Sequence, residues 1–395
     1  MLRATDDHRR ARIARRHGLH PDQRYASIEA ATTAMTAWHA TEPSTPHLSL
    51  HARVCRITVA DVDAALYDER SIVRTMAMRR TLWLVTRDLL PAVVGGPGRR
   101  VAEAERRRLA KEAVGPRAEV EGDWIRDAGD LIVDYLAGRE ASTRQLRDAL
   151  PVLGGSFTAA PGTKWSADVA LMTRLLTILM AEGVVVRGRN AGHWRISRPM
   201  WTATASWLGE PTAPLEPAPA YAQLVKRLLH TFGPVTEDDL TWWLGSTKGA
   251  VRTALTDIDA MQVMLDDGST GWVANDDTGD LGVAPSLEPW VALLPTLDPT
   301  TMGWRERRFY LQPAHTPYLF DSVGNGGTTV WVDGRVVGCW VQDAHERVRL
   351  VLLEEVPPDA RRRLQVEVDR LDEFLGGEHI TNVFASPQVR RERVL

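Results

Sequence analysis

The chain has 395 residues, 44% apolar and 25% charged, with 48 lysines and arginines against 51 acidic residues and a net charge of −3. Such a balance excludes binding to nucleic acid through bulk charge, so any DNA affinity has to come from local arginine clusters. The length exceeds a single core and predicts about two to four domains of ordinary globular character.

Two cysteines, Cys55 and Cys339, lie far apart with no CxxC pattern and no histidines at metal spacing. They argue for a reducing compartment and against a disulfide framework or zinc. The N-terminal MLRATDDHRRARIARRHG is charged throughout and lacks the apolar core of a signal peptide. No apolar run reaches membrane-spanning length. The expected location is therefore cytoplasmic, with no membrane partner. Arg9, Arg10, Arg12, Arg15 and Arg16 read either as an arm following a phosphate backbone or as a solvated, frayed terminus.

Ser27 is placed to cap a helix through about Trp38, and Thr58 with Asp61 reads as a capping box. Between them runs AWHATEPSTPHLSLHARV, residues 37–54, which sets His39, Thr41 and Glu42 within four positions. Pro43 and Pro46 should stop a helix there and leave a short exposed loop, a common place for chemistry. The alternative is a helix end and turn, with His39 and Thr41 capping backbone groups. Residues 72–85, IVRTMAMRRTLWLV, alternate in character and are rich in β-branched residues, with Arg79 and Arg80 at the bend between strands. Helices followed by a hairpin are the order of a winged helix.

The order returns twice. Ser142 or Thr143 caps a short helix, and Leu171, Leu175, Ile178 and Leu179 stripe a longer one. VVVRGRNAGHWRI, residues 184–196, then reads as a second hairpin with Arg187, Arg189 and His193 at its tip. A basic hairpin can reach phosphates as a wing or can merely close the core. After a proline-rich linker over 209–220, Thr236 and Asp239 form a capping box, and Ser246 or Thr247 starts a helix with Lys248 and Arg252 outward. VMLDDGSTGWVANDD, residues 263–277, is a third hairpin, and an acidic one. From about Ala292 the pattern turns to β, with turns at Gly326-Gly327 and Asp333-Gly334, and Pro357-Pro358 opens a last helix.

The predicted fold class is thus α+β: three winged-helix units around a small C-terminal β-barrel or sheet. The units are expected at 1–115, 116–208 and 209–290, with the β domain at 291–395. Walker A, GxGxxG and GxSxG patterns are missing from the sequence. His47 and His51 stand four apart, a metal-ligand spacing, but no acidic residue lies between them as in HExxH, and no metal or other cofactor is expected. Asp298 reads as either a catalytic carboxylate or a turn cap.

HATEPSTPHLSLHAR (39–53), RRTLWLVT (79–86), VRGRNAGHW (186–194), TWWLGSTKGAVRTAL (241–255), LLPTLDP (293–299) and DSVGNGGTTVWVDGRVVGCW (321–340) together resemble the winged-helix family of AlkZ and YcaQ type DNA glycosylases. The resemblance implies three winged helices around a β-barrel. It also implies release of alkylated purines, including crosslinked ones, from double-stranded DNA. In that family a glutamine–apolar–glutamine motif holds the water. The matching stretch here is His39-Ala40-Thr41, which keeps the spacing and replaces both glutamines. The resemblance thus implies a catalytic set of His39, Thr41 and Glu42. Arg53, Arg79, Arg80, Arg187, Arg189, His193, Lys248 and Arg252 are the expected DNA contacts. The alternative is a non-catalytic DNA-binding protein or regulator on the same scaffold. With no dimerisation helix evident, a monomer is expected.

Overall fold

The computed structural model describes residues 2–112, 123–160, 162, 166–281 and 288–392. Ser27 caps a helix as its spacing predicts, but the helix covers only Ile28–Met35. Thr36 adopts φ 64° and its hydroxyl meets that of Thr231 at 2.8 Å, which turns the chain out of the helix. Trp38–His39 consequently become an edge strand on Leu82–Thr86, itself the hairpin partner of Ile72–Met76. The register sets His39, Trp83 and Thr75 in one row and Trp38, Leu84 and Arg74 in the next, so the two rows face opposite sides of the sheet.

Pro43 and Pro46 do not create an exposed loop. Pro46 lies in the first turn of helix Thr45–His51, where a missing N–H costs nothing, and every residue of that helix is buried. The helix docks on the LLPTLDP segment. Thr45 donates to the Thr296 carbonyl at 2.6 Å, Ser49 donates to Asp298 at 2.7 Å, and Arg53 just beyond the helix pairs with the same carboxylate.

Ser142 with Gln145 forms the cap of Thr143–Ala149, and Leu171–Ala181 carries the expected buried stripe. The second hairpin differs from its prediction. Val185–Asn190 pairs with Pro199–Ala203, not with residues 193–196, because Asn190 organises a longer loop. Its amide donates to the carbonyls of Gly192, His193 and Ile196 and accepts from the Arg198 N–H. An unpredicted hairpin, Ser156–Ala159 with Ala167–Ala170, precedes the long helix.

The proline-rich linker spans 209–216, two thirds of the stretch its composition suggests. Pro217 starts helix Pro217–Phe232, which buries one face through Tyr221, Leu224, Val225, Leu228 and Leu229. The third hairpin, Met261–Leu265 with Thr270–Val273, gains a parallel strand from Leu2–Ala4. The basic N-terminal segment is neither an arm nor frayed. It forms helix Asp6–Arg16, clamped to this unit by Arg12 on Asp277 and Asp280 and by Arg16 on Asp277.

The C-terminal strands Val291–Leu294, Thr329–Val332, Arg335–Gln342 and Val348–Leu352 form one antiparallel sheet in chain order. It is open rather than a barrel, since its first and last strands do not pair. Asp333 and Gly334, at φ 47° and 82°, make the expected tight turn. Residues 320–328 are a loop and a bridge rather than a strand, because Asp321 accepts from Val323, Asn325 and the Asn325 amide and curls the chain on itself. Helix Pro358–Leu375 covers one face through Leu364, Val368, Leu371 and Leu375. The whole is a mixed α+β fold of several small sheets.

Candidate active site

His39 stands at the edge of the first sheet, 5% exposed, its ring 4.9 Å from that of Trp83. Burial, assisted by the nearby Arg79 guanidinium, pushes its pKa down to about 3. The imidazole is therefore neutral at physiological pH, and the ordinary near-neutral value does not apply. Its Nδ1 faces the Thr41 N–H at 3.5 Å. The Thr41 hydroxyl accepts from the Leu82 N–H at 3.1 Å, which leaves its own O–H to donate elsewhere. Glu42 is 1% exposed, and one of its oxygens accepts from the backbone N–H groups of Val383 and Phe384 at 2.8 and 3.4 Å. His39 and Thr41 thus meet through Nδ1 and the Thr41 N–H, while the Glu42 side chain is tied to the C-terminal segment. The C-terminal contact has no local signal in the sequence.

The expected DNA contacts separate into three groups. Arg53 is fully buried and is removed from that role: it makes a two-pronged ion pair with Asp298, itself fully buried, at 2.9 and 2.6 Å. Asp298 does cap a turn, and it is spoken for by the buried ion pair as well. It accepts in addition from Ser49 and from the Thr300 N–H at 2.9 Å, which uses its lone pairs. Arg80, Arg189, His193, Lys248 and Arg252 are exposed and each faces a carboxylate, on Glu105, Asp68, Glu378, Asp238 and Glu237 respectively. Exposed pairs of this kind contribute little and exchange readily for phosphate.

Arg79 and Arg187 form the third group. Both are largely buried, and burial lowers the pKa of each to about 10. Arg187 is not at a hairpin tip. It lies in mid-strand opposite Trp201, with its guanidinium 5.4 Å from that ring. Arg79 lies at the hairpin bend, 4.2 Å from the Trp242 ring.

His47 and His51 are packed rather than poised. His47 meets Asp63 at 3.1 Å and the Trp194 ring at 5.1 Å, and His51 stacks on Phe374 at 4.3 Å. Among the described residues no group of three or more His, Cys, Asp or Glu could hold a metal ion. Nor is any helix among them long and apolar enough to cross a membrane.

Buried neutral histidines make stability depend on pH. His17, fully buried between Thr300 and the Thr231 carbonyl, also has its pKa pushed down to about 3, by burial and then by Arg53. Unfolded, each of His17 and His39 binds a proton near the ordinary value of 6.5, while folded each does so only near 3. Between these values the unfolded chain holds more protons, so stability falls as pH is lowered. Each histidine contributes about 1.4 kcal/mol per pH unit there. Urea titrations should show the midpoint dropping from about pH 6 downward. The His17→Gln variant should show a shallower decline.

Residues 32–374 match the family of AlkZ-like DNA glycosylases, and the chain belongs to that family, whose members are DNA-repair hydrolases acting on N-glycosyl bonds. Its fold is similar to that of the Streptomyces sahachiroi DNA glycosylase AlkZ, with a TM-score of 0.75 at 20% identity over 98% of this chain and 99% of that one. No curated protein matches the chain.

Proposed function

We propose that the chain is a monofunctional DNA glycosylase that hydrolyses the N-glycosidic bond of alkylated purines, N7-alkylguanine above all, in double-stranded DNA. It works as a monomer without a cofactor, and its three helix–hairpin units act as winged helices at 1–115, 116–208 and 209–290. The observation that supports this reading best is the buried, neutral His39 facing the Thr41 N–H, on the segment where the family holds its water. With Nδ1 facing the Thr41 N–H, the neutral ring carries its proton on Nε2 and can hold a water by donating to its oxygen, and the Thr41 hydroxyl offers a second polar contact.

In the step itself the water oxygen bonds to C1′ as the C1′–N9 bond breaks. The bonding pair leaves with the purine and cancels its positive charge, so no acid is needed. The water proton is lost to solvent. Glu42 lends negative charge to the oxocarbenium-like sugar. Reaching C1′ requires the nucleotide to be extruded from the duplex.

The test is release of base from a duplex carrying one N7-methylguanine, read as strand breaks after heat and alkali. Breaks with wild type, and none from the undamaged duplex, are expected. The replacement of both glutamines favours a second reading, a non-catalytic DNA binder. Absence of breaks with tight binding to one defined undamaged sequence would select it.

A further inference from the structure

The family comparison leaves Arg307 without a role, and sequence reasoning passed over it, although WRERRF at 304–309 concentrates three arginines in one loop. In the fold this loop comes to the hairpin bend that carries Arg79. The Arg79 guanidinium carbon is 4.2 Å from the Trp242 ring centroid and that of Arg307 is 5.8 Å from the same ring. Arg307 also lies 4.3 Å over Phe320. Among the described residues neither arginine has a carboxylate within 4.0 Å, and the Nε of each is shut from solvent without a hydrogen-bond partner. Every exposed cation expected at the DNA surface, by contrast, faces an acid.

Both side chains are held there. Aspartate 239 is the capping carboxylate of helix Glu237–Leu244, and its second oxygen accepts from the Arg305 N–H at 2.7 Å and the Glu306 N–H at 3.4 Å. That contact fixes the loop on which Arg307 rides. On the other side, Gly245 at φ 61° lets the bend approach, since a Cβ there would lie 3.0 Å from the Arg79 nitrogen and from its Cγ. A cavity of ≈ 160 Å³ adjoins the Arg79 side of the bend, lined in part by Arg79, Arg80, Arg100, Gly245 and Glu105, whose carboxylate pairs with Arg80.

Two guanidinium groups sharing one aromatic ring repel each other: Arg79 is pushed down to about 10 by burial and then by Arg307. Aromatic faces offset only part of that cost. An anion between them would relieve it, and the planar forks suit the paired oxygens of a phosphodiester. The Trp83 ring, 4.9 Å from that of His39, donates its indole N–H to the Met78 carbonyl at 3.1 Å, so the bend that carries Arg79 adjoins the candidate water site.

We infer that Arg79 and Arg307, braced on Trp242, form a phosphate clamp for the DNA strand that carries the lesion, and that it holds the backbone next to the nucleotide presented to His39. This rests on the glycosylase reading only in requiring that DNA be the substrate. The clamp is a positioning device. It forms no bond to the reacting atoms.

The test is binding of a lesion-bearing duplex, followed by fluorescence anisotropy over a range of salt, with wild type, Arg79→Ala, Arg307→Ala and the bulk-retaining Arg307→Gln. Each loss of charge should lower the slope of log affinity against log salt by about 0.9. Because the change removes a repulsion, melting temperatures should stay level or rise. In parallel, single phosphates around the lesion are replaced in turn by neutral methylphosphonate. One position should weaken wild type and leave Arg307→Gln unaffected. Slopes equal to wild type in the Arg307 variants, or a methylphosphonate response identical in wild type and variant at every position, would overturn the clamp while leaving DNA as the substrate. No binding by wild type at any salt would overturn both.

Discussion

Replacing Asp298 with alanine is expected to destabilise the fold by about 3–5 kcal/mol, the cost of leaving a buried charge without its partner. Arg53 and Asp298 are each 0% exposed, so solvent cannot compensate the guanidinium that remains. The loss propagates, because Asp298 also holds Ser49 and the Thr300 N–H, and the Thr300 hydroxyl meets both Arg53 and His17. Helix Thr45–His51 follows directly on Glu42, so the candidate site loosens with it. Urea unfolding should show the shift in midpoint. The double variant Arg53→Met with Asp298→Leu should recover most of the stability, since an apolar pair of similar volume avoids the desolvation cost. A single-variant loss below about 1 kcal/mol would mean that the pair does not anchor this helix.

The second large effect is on rate. His39→Ala should slow base release by about a hundredfold, the order of what one positioned hydrogen-bond donor contributes. With a pKa near 3, His39 stays neutral across the working range, so wild-type release should be level between about pH 5 and 8. A histidine with an unshifted pKa would instead give a limb near 6.5. Single-turnover rates across that range separate the two. A rate that rises through neutrality in wild type and becomes flat in His39→Ala would show that the ring titrates normally during the reaction.

What was legible in the sequence is what short-range chemistry decides. The capping boxes at Thr58–Asp61 and Thr236–Asp239 close over three residues and form as read. So do the tight turn at Asp333-Gly334 and the apolar stripe of Pro358–Leu375. The illegible parts depend on partners far along the chain. Arg53 read as an outward charge because Asp298 is 245 positions away. Arg12 read as part of a solvated run because its acids, Asp277 and Asp280, lie on another unit. The strand opposite Val185–Asn190 was misplaced because one asparagine side chain holds the intervening loop. For the candidate site, the grouping of His39, Thr41 and Glu42 was visible, but the burial that shifts His39 was not. Nothing local marks Arg307 as the neighbour of Arg79.

The measurement that tests the central claim most directly is single-turnover release of N7-methylguanine by wild type, His39→Ala and Thr41→Ala, each shown to bind the same duplex. The account predicts release by wild type, about a hundredfold loss in His39→Ala and a smaller loss in Thr41→Ala, with binding retained in all three. Equal release by wild type and His39→Ala, or intact binding with no release by wild type, would contradict it.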